Sequence, residues 1–338
     1  ERTRQYNLGF ELGLFNNRIR LEGDFYDSQS LDLLLNVPVP TITGYSTQMQ
    51  NIGKVQNRGM EFTLNTKNLT GEFSWSSNFN ISFNKNKVLE VGVDGRPIYG
   101  SAANANNAFI TKPGYPIASF YGYKYIGVFQ SEEELAKYPH LSGDKVGDGR
   151  YEDVNKDGVL DQNDKTILGD NNPLFTAGFS NSFSYKNFTL DIQFTGSYGA
   201  EVFSFYKRMC GIYHGDRNGM IEQLGRWQSK DQPGDGIHFR PTRTPSGWQR
   251  DPSSAWVQDA SYLRLRNLTL GYNFDQKVLD KMKMKGLRLY VTGQNLFTIT
   301  NYVGYDPETS SESGLAQGGD YLGYPAARSF IIGANITF

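Results

Sequence analysis

The stretch YNLGFELGLFNNRIRLEGDF, residues 6–25, decides the fold class. Tyr6, Leu8, Phe10, Leu12 and Leu14 alternate with Asn7, Gly9, Glu11 and Gly13. After the Asn16-Asn17 turn the alternation resumes, with Ile19, Leu21, Gly23 and Phe25 on one side and Arg18, Arg20, Glu22 and Asp24 on the other. Two runs of period two joined by a turn signal read as a β-hairpin with one apolar and one polar face. The pattern recurs along the chain. Met60, Phe62 and Leu64 answer Phe73, Trp75, Phe79, Ile81 and Phe83 across the turn Asn68 to Gly71. Phe175 to Tyr185 and Phe188 to Tyr198 form a third pair around Asn187. A fourth pair, Leu268 to Phe274 and Leu287 to Phe297, is joined by the Lys-rich stretch Asp275 to Lys285. Phe330, Ile332, Ala334, Ile336 and Phe338 close the series, which amounts to about nine strands.

Short turns follow the first, third, fifth and seventh strands. Long loops, roughly 27–56, 85–173, 199–260 and 300–326, follow the others. A trimmed rim opposite an elaborate one is the organisation of outer-membrane β-barrels, with short periplasmic turns and long extracellular loops. The face opposite the apolar stripe carries Glu11, Arg18, Arg20, Glu22, Asp24 and Asp191 among Ser, Thr, Asn and Gly, as a hydrated lumen requires. A secreted all-β glycan-binding module, with the apolar stripes buried in a sandwich core and calcium stiffening its loops, shares that alternation. Lipid leaves an unpaired backbone group unsatisfied at several kcal/mol, so strands span it only in a closed barrel. Nine is odd, and bacterial single-chain barrels have even strand numbers. Residues 1–338 are therefore expected to be the C-terminal segment of a larger transmembrane antiparallel barrel, its first and last strands pairing with the N-terminal part of the same barrel. The chain ends on Phe338, like the terminal aromatic of outer-membrane assembly signals.

Within 85–173, the tract Gly100 to Ala108 reads as flexible, and Ser119 to Phe129 as an aromatic strand of an extracellular subdomain. Counting that strand in the wall would invert the turn and loop alternation. Ser131 and Glu134 form a capping box that opens a short helix reaching about Tyr138.

Composition removes several classes. The 338 residues carry 34 Lys+Arg against 35 Asp+Glu, a formal net charge of -1, so there is no basic excess for nucleic acid. Cys210 is the single cysteine, which excludes internal disulfides and thiolate zinc clusters. No apolar run approaches the ~18 residues of a membrane helix. The segment ERTRQYNLGF carries neither the charged nor the apolar region of a signal peptide, which is absent or was removed.

One acidic stretch has metal-loop spacing. Asp153, Asn155, Asp157, Val159, Asp161 and Asp164 occupy positions one, three, five, seven, nine and twelve of a calcium loop, with Gly158 at the sixth. Alternate oxygens fold around one hard cation, Val159 through its carbonyl, and glycine permits the sharp turn. Asp164 stands where Glu is usual, and its shorter arm weakens a bidentate contact. A structural Ca2+ is expected here, tethering the loop region; a hydrophilic Asp/Asn/Gly-rich turn has the same composition. His140, His214 and His238 stand far apart, and no nucleophile, base and oxyanion group assemble, so no enzyme is expected. Trp227, Trp248 and Trp256, with Arg226, Arg240, Arg243 and Arg250, could stack on and hydrogen-bond a ligand, or pack a long loop. The sequons at Asn68, Asn187, Asn267 and Asn335 are coincidental.

Several blocks together are specific. NIGKVQNRGMEFTLNTKN (51–68), GYPIASFYGYKYIGVFQ (114–130), GDGRYEDVNKDGVLDQNDKTILGDNNP (147–173), SYLRLRNLTLGYNF (261–274), LRLYVTGQNLFTITNYVGYDPE (287–308) and the closing strand resemble the SusC/RagA family of TonB-dependent outer-membrane transporters. The resemblance runs in family order from about residue 51 to the end. It implies a place in the outer membrane of Bacteroidota-type bacteria, in a 22-stranded barrel with an N-terminal plug. It also implies import of glycans or oligopeptides, a SusD-like surface lipoprotein as lid, and energy from the TonB complex through the plug region.

Overall fold

In the computed structural model, all residues are described except 39–43, 46, 93–94, 103–104, 212–217, 242–250 and 309–313. Nine strands form one antiparallel sheet in chain order: β1 (Arg2–Leu14), β2 (Ile19–Pro38), β3 (Thr47–Leu69), β4 (Phe73–Glu90), β5 (Phe175–Tyr185), β6 (Phe188–Tyr198), β7 (Tyr262–Asn273), β8 (Gly286–Thr300) and β9 (Ser329–Thr337). Each expected strand is present, and each pairs with its sequence neighbour in the wall. The first hairpin turns through Phe15, Asn16 and Asn17, all at positive φ, a conformation Asn tolerates better than most residues. The Lys-rich connection from β7 to β8 folds into a helix, Gln276–Met282, which ends on Lys283 in the left-handed region.

Register keeps the apolar residues on one face. Leu8, Phe25, Met60 and Phe83 stand opposite one another across four strands. Leu190, Leu270, Val291 and Ile332 do the same across four others. This face is not a protein core: Phe10 is 53 % exposed, Phe79 37 % and Ile332 84 %. A sandwich would bury these side chains, so the rival reading fails on them. Both ends of the apolar band carry rings. At the short-turn end Phe73 and Trp75 stack on Phe183, and Phe188 meets Tyr272 edge-on. At the long-loop end Phe175 packs against Phe83 and Tyr198. Phe175 and Tyr185 bound an 11-residue strand, about 34 Å of extended chain and about 25 Å of depth at a tilt near 40°, the height of a barrel's lipid-facing band.

Three expectations need correction. The connection 27–56 is largely strand: β2 runs to Pro38 and β3 begins at Thr47, so the hairpin projects beyond the wall. The tract Gly100 to Ala108 is not a flexible coil. Ile98–Ala102 and Ala105–Thr111 are paired strands, and Ala105 and Ala108 are buried. Small side chains there allow close packing beneath Phe109, a role that composition alone does not distinguish from flexibility. The aromatic segment from Ser119 breaks into two short strands, Ser119–Gly122 and Tyr125–Val128. Both lie outside the wall, as the turn and loop alternation requires; the first joins a four-stranded sheet with Ile98–Ala102, Ala105–Thr111 and Thr166–Gly169.

The buried core lies among the loops. Phe109 and Phe120 from 85–173, Phe203, Phe205, Phe239 and Trp256 from 199–260, and Ala316 from 300–326 form one cluster. The three loops thus make a single cap. It sits over the polar face of the wall: Val55 and Val88 pack with Val91, Ile98, Ile117 and Leu315, and Asn86 accepts the Ile117 N–H at 2.9 Å. Ser131 caps the helix Glu132–Lys137 as expected, while Glu134 reaches back to the N–H of Gln130.

Candidate functional site

The polar face is a surface of cross-strand hydrogen bonds. Arg20 bridges Glu22 at 2.7 Å and Glu11 at 3.2 Å. Ser182 donates to Asp191 at 2.7 Å, and Asn78 to Asn65 at 2.7 Å. These side chains satisfy one another and leave lone pairs and N–H groups for water or a polar solute.

Where the cap meets this face, one cluster ties them together. Arg264 on β7 is 3 % exposed. Its Nη2 donates to Asp306 at 2.6 Å, its Nη1 to Glu308 at 2.5 Å and its Nε to Thr298 at 2.8 Å. Arg266 also pairs with Glu308, and Tyr262 donates to it at 2.5 Å. Burial pushes both carboxyls up, but hydrogen bonds and the arginine charges outweigh it and hold them below the ordinary carboxylate range. The N–H of Ala326 adds a bond to Asp306. Loop 300–326 is thereby latched to the wall at both ends. Sequence reasoning missed this latch, although its signal was present: Arg264 shares the polar parity of Tyr262, and a carboxylate pair follows β8 in YDPE.

Inside the cap, a cavity of about 370 Å3 is lined by Tyr125, Lys207, Glu222, His238, Phe239 and Trp256, among others. Burial lowers the Lys207 ammonium, against the charge of Glu222. His238 Nδ1 lies 2.6 Å from Asp235. The cavity offers donors, acceptors and an aromatic wall. His140 faces the Tyr138 carbonyl, and His214 lies outside the described residues. Cys210 sits on the short helix Phe205–Gly211.

The tryptophan and arginine set divides. Trp256 belongs to the buried cap core, Trp227 packs against it, and Arg240 makes a two-pronged pair with Asp148 at 2.8 and 3.1 Å. Trp248, Arg243 and Arg250 lie outside the described residues.

The acidic loop folds as its spacing requires, with Lys156 and Gly158 at positive φ. Its oxygens, however, face its own backbone. Asp153 accepts from the N–H of Lys156 and Gly158, Asn155 from Asp157, Asp157 from Val159, and Asp161 from Asn163. Asp164 is wholly buried and accepts from Val154 and Asp161 at 2.9 and 2.8 Å. Among the described residues, no three Asp, Glu, His or Cys side chains converge as a metal group. Asp164 closes the loop as a hydrogen-bond hub.

A sheet apolar outside and polar inside, capped on one rim, directs comparison to membrane barrels. The family described as TonB dependent receptor-like, beta-barrel matches residues 1–296. The chain belongs to this family. A TonB-dependent receptor of Formosa agariphila is 36 % identical over all of this chain and 34 % of its own length. SusC of Bacteroides thetaiotaomicron is 30 % identical, again over the whole chain and 32 % of the relative. The chain thus spans about a third of the relatives it matches. The solved RagAB peptide transporter superposes with a TM-score of 0.81 over 99 % of this chain and 35 % of that one, at 23 % identity, a likeness of fold. Family membership places this β-barrel segment in the outer membrane and identifies the apolar band as the lipid-facing surface.

Proposed function

We propose that this chain is barrel wall and loop cap of an outer-membrane importer of nutrient, a glycan or an oligopeptide. The observation that carries this reading is the division of one sheet into an exposed apolar face and a hydrogen-bonded polar face beneath a cap of long loops. The wall seals against lipid, the polar face lines the route, and the cap contacts solute on the extracellular side. A SusD-like surface lipoprotein is the proposed partner above the cap. The TonB complex, acting through a plug outside this segment, is the proposed source of energy. No covalent step is assigned. The test is growth of a strain lacking the full gene on single oligosaccharides and oligopeptides. Loss of growth on one such class, restored by the intact gene, supports the reading; wild-type growth and uptake on every class overturn it.

We also propose the segment 85–173 as an extracellular subdomain, with calcium as the cation for Asp153, Asn155, Asp157, Val159, Asp161 and Asp164. Spacing is its support. A calcium-dependent rise in the thermal midpoint of the intact protein that Asp157→Ala abolishes would sustain it, and an unchanged midpoint would end it.

A further inference from the structure

On the outer face of β1 to β4, chemistry changes abruptly at the long-loop end of the apolar band. Leu8, Phe25, Met60 and Phe83 form the last apolar row. Tyr6, Asp27, Arg58 and Lys85 form the next, and Arg4, Gln29, Gln56 and Lys87 the one beyond. Rows two residues apart are about 7 Å apart along a strand, so four cations and one carboxylate stand within a headgroup's depth of the hydrocarbon edge. Asp27 orients Arg58 through its Nε at 3.0 Å and Nη2 at 2.5 Å, leaving Nη1 unclaimed among the described residues. Lys85 and Lys87 are exposed and make no ion pair among the described residues. A groove of about 580 Å3 joins the two chemistries: Phe25, Met60 and Phe83 line its apolar part, and Arg58, Lys85 and Lys87 its charged part. Pro116 from the cap and Leu174 before β5 bound it. Asp170 also lines it, but the backbone and side-chain N–H groups of Asn172 engage that carboxylate.

We propose that this groove binds a phosphorylated glycolipid of the outer leaflet, lipid A, with a phosphate on Arg58, Lys85 and Lys87 and an acyl chain on Phe25, Met60 and Phe83. The inference rests on the membrane reading above, which sets the long-loop rim at the outer surface. Charge complementarity favours a phosphate over a zwitterionic head, and the unbroken step from cations to apolar rows favours a lipid over a soluble anion.

The test uses the intact transporter, exchanged into mild detergent and assayed by native mass spectrometry with added lipid A, dephosphorylated lipid A or phosphatidylethanolamine. Wild type should retain lipid A, and the double variant Lys85→Ala, Lys87→Ala should bind it on the order of tenfold more weakly. Dephosphorylated lipid A should bind wild type as weakly as lipid A binds the variant. Equal retention by the variant, or equal binding of either competing lipid, overturns the proposal. Nutrient uptake by the variant, measured in parallel, should match wild type, so failure of the importer reading appears separately from failure of lipid binding.

Discussion

Arg264 makes the strongest residue-scale case, because its guanidinium is buried and every bond it makes is charged or directional. Arg264→Ala takes one guanidinium from Asp306 and Glu308, leaving Glu308 to Arg266 and Tyr262 and Asp306 to the N–H groups of Ala326 and Glu308. Removing charge-assisted bonds from a network that keeps other partners costs about 1.5–3 kcal/mol, so the thermal midpoint should fall and protease should cut within 300–326 while β8 and β9 stay protected. The latch also has a pH signature. Asp306 and Glu308 titrate below their ordinary values, so their stabilisation is complete above the unfolded value near 4. It is lost as pH falls through the lower folded values. Protection of 300–326 from hydrogen exchange, corrected for intrinsic rate, should be constant from pH 8 to 5 and decline below 4. Asp164 offers a second test: Asp164→Ala orphans the N–H groups of Val154 and Asp161 and should cost about 3 kcal/mol, read as faster exchange across 153–164 with or without added calcium.

At the scale of elements, wall and cap rely on different forces. The wall is held by register and by the solvent on its apolar side; the cap is held by a buried aromatic cluster. Phe109→Ala should therefore destabilise the cap by about 3–5 kcal/mol and open it to protease, leaving the wall strands of the intact protein protected. The two forces also explain what the sequence made legible. The wall strands were readable because alternation is local: Tyr6 to Leu14 declares its faces without reference to any other residue. Ala105 and Ala108 were misread because small residues serve loose coils and tight packing alike, and only Phe203 and Trp256 arriving from distant segments decide between them. The latch was hidden for the same reason, since Arg264 and Asp306 meet across 42 positions. The acidic loop was legible in its turn, since its spacing fixes where Gly158 must bend.

The whole molecule is organised by its two environments. Leu270, Val291 and Ile332 form an apolar row on β7 to β9, while one residue away Thr269 and Thr292 share a hydrogen bond at 2.9 Å on the other face. A charge on the first face near mid-band, as in Leu270→Arg, should cost about 2–4 kcal/mol and impair membrane assembly, whereas Thr269→Arg should assemble normally. The most direct measurement places nitroxide labels in turn at positions 270, 291, 269 and 292 of the intact transporter in bilayers, in a Cys210→Ser background. The account predicts that labels at 270 and 291 relax with lipid-soluble oxygen and those at 269 and 292 with a water-soluble nickel chelate. Labels at 270 and 291 that respond to nickel, or to neither reagent because they are sealed in protein, would contradict it.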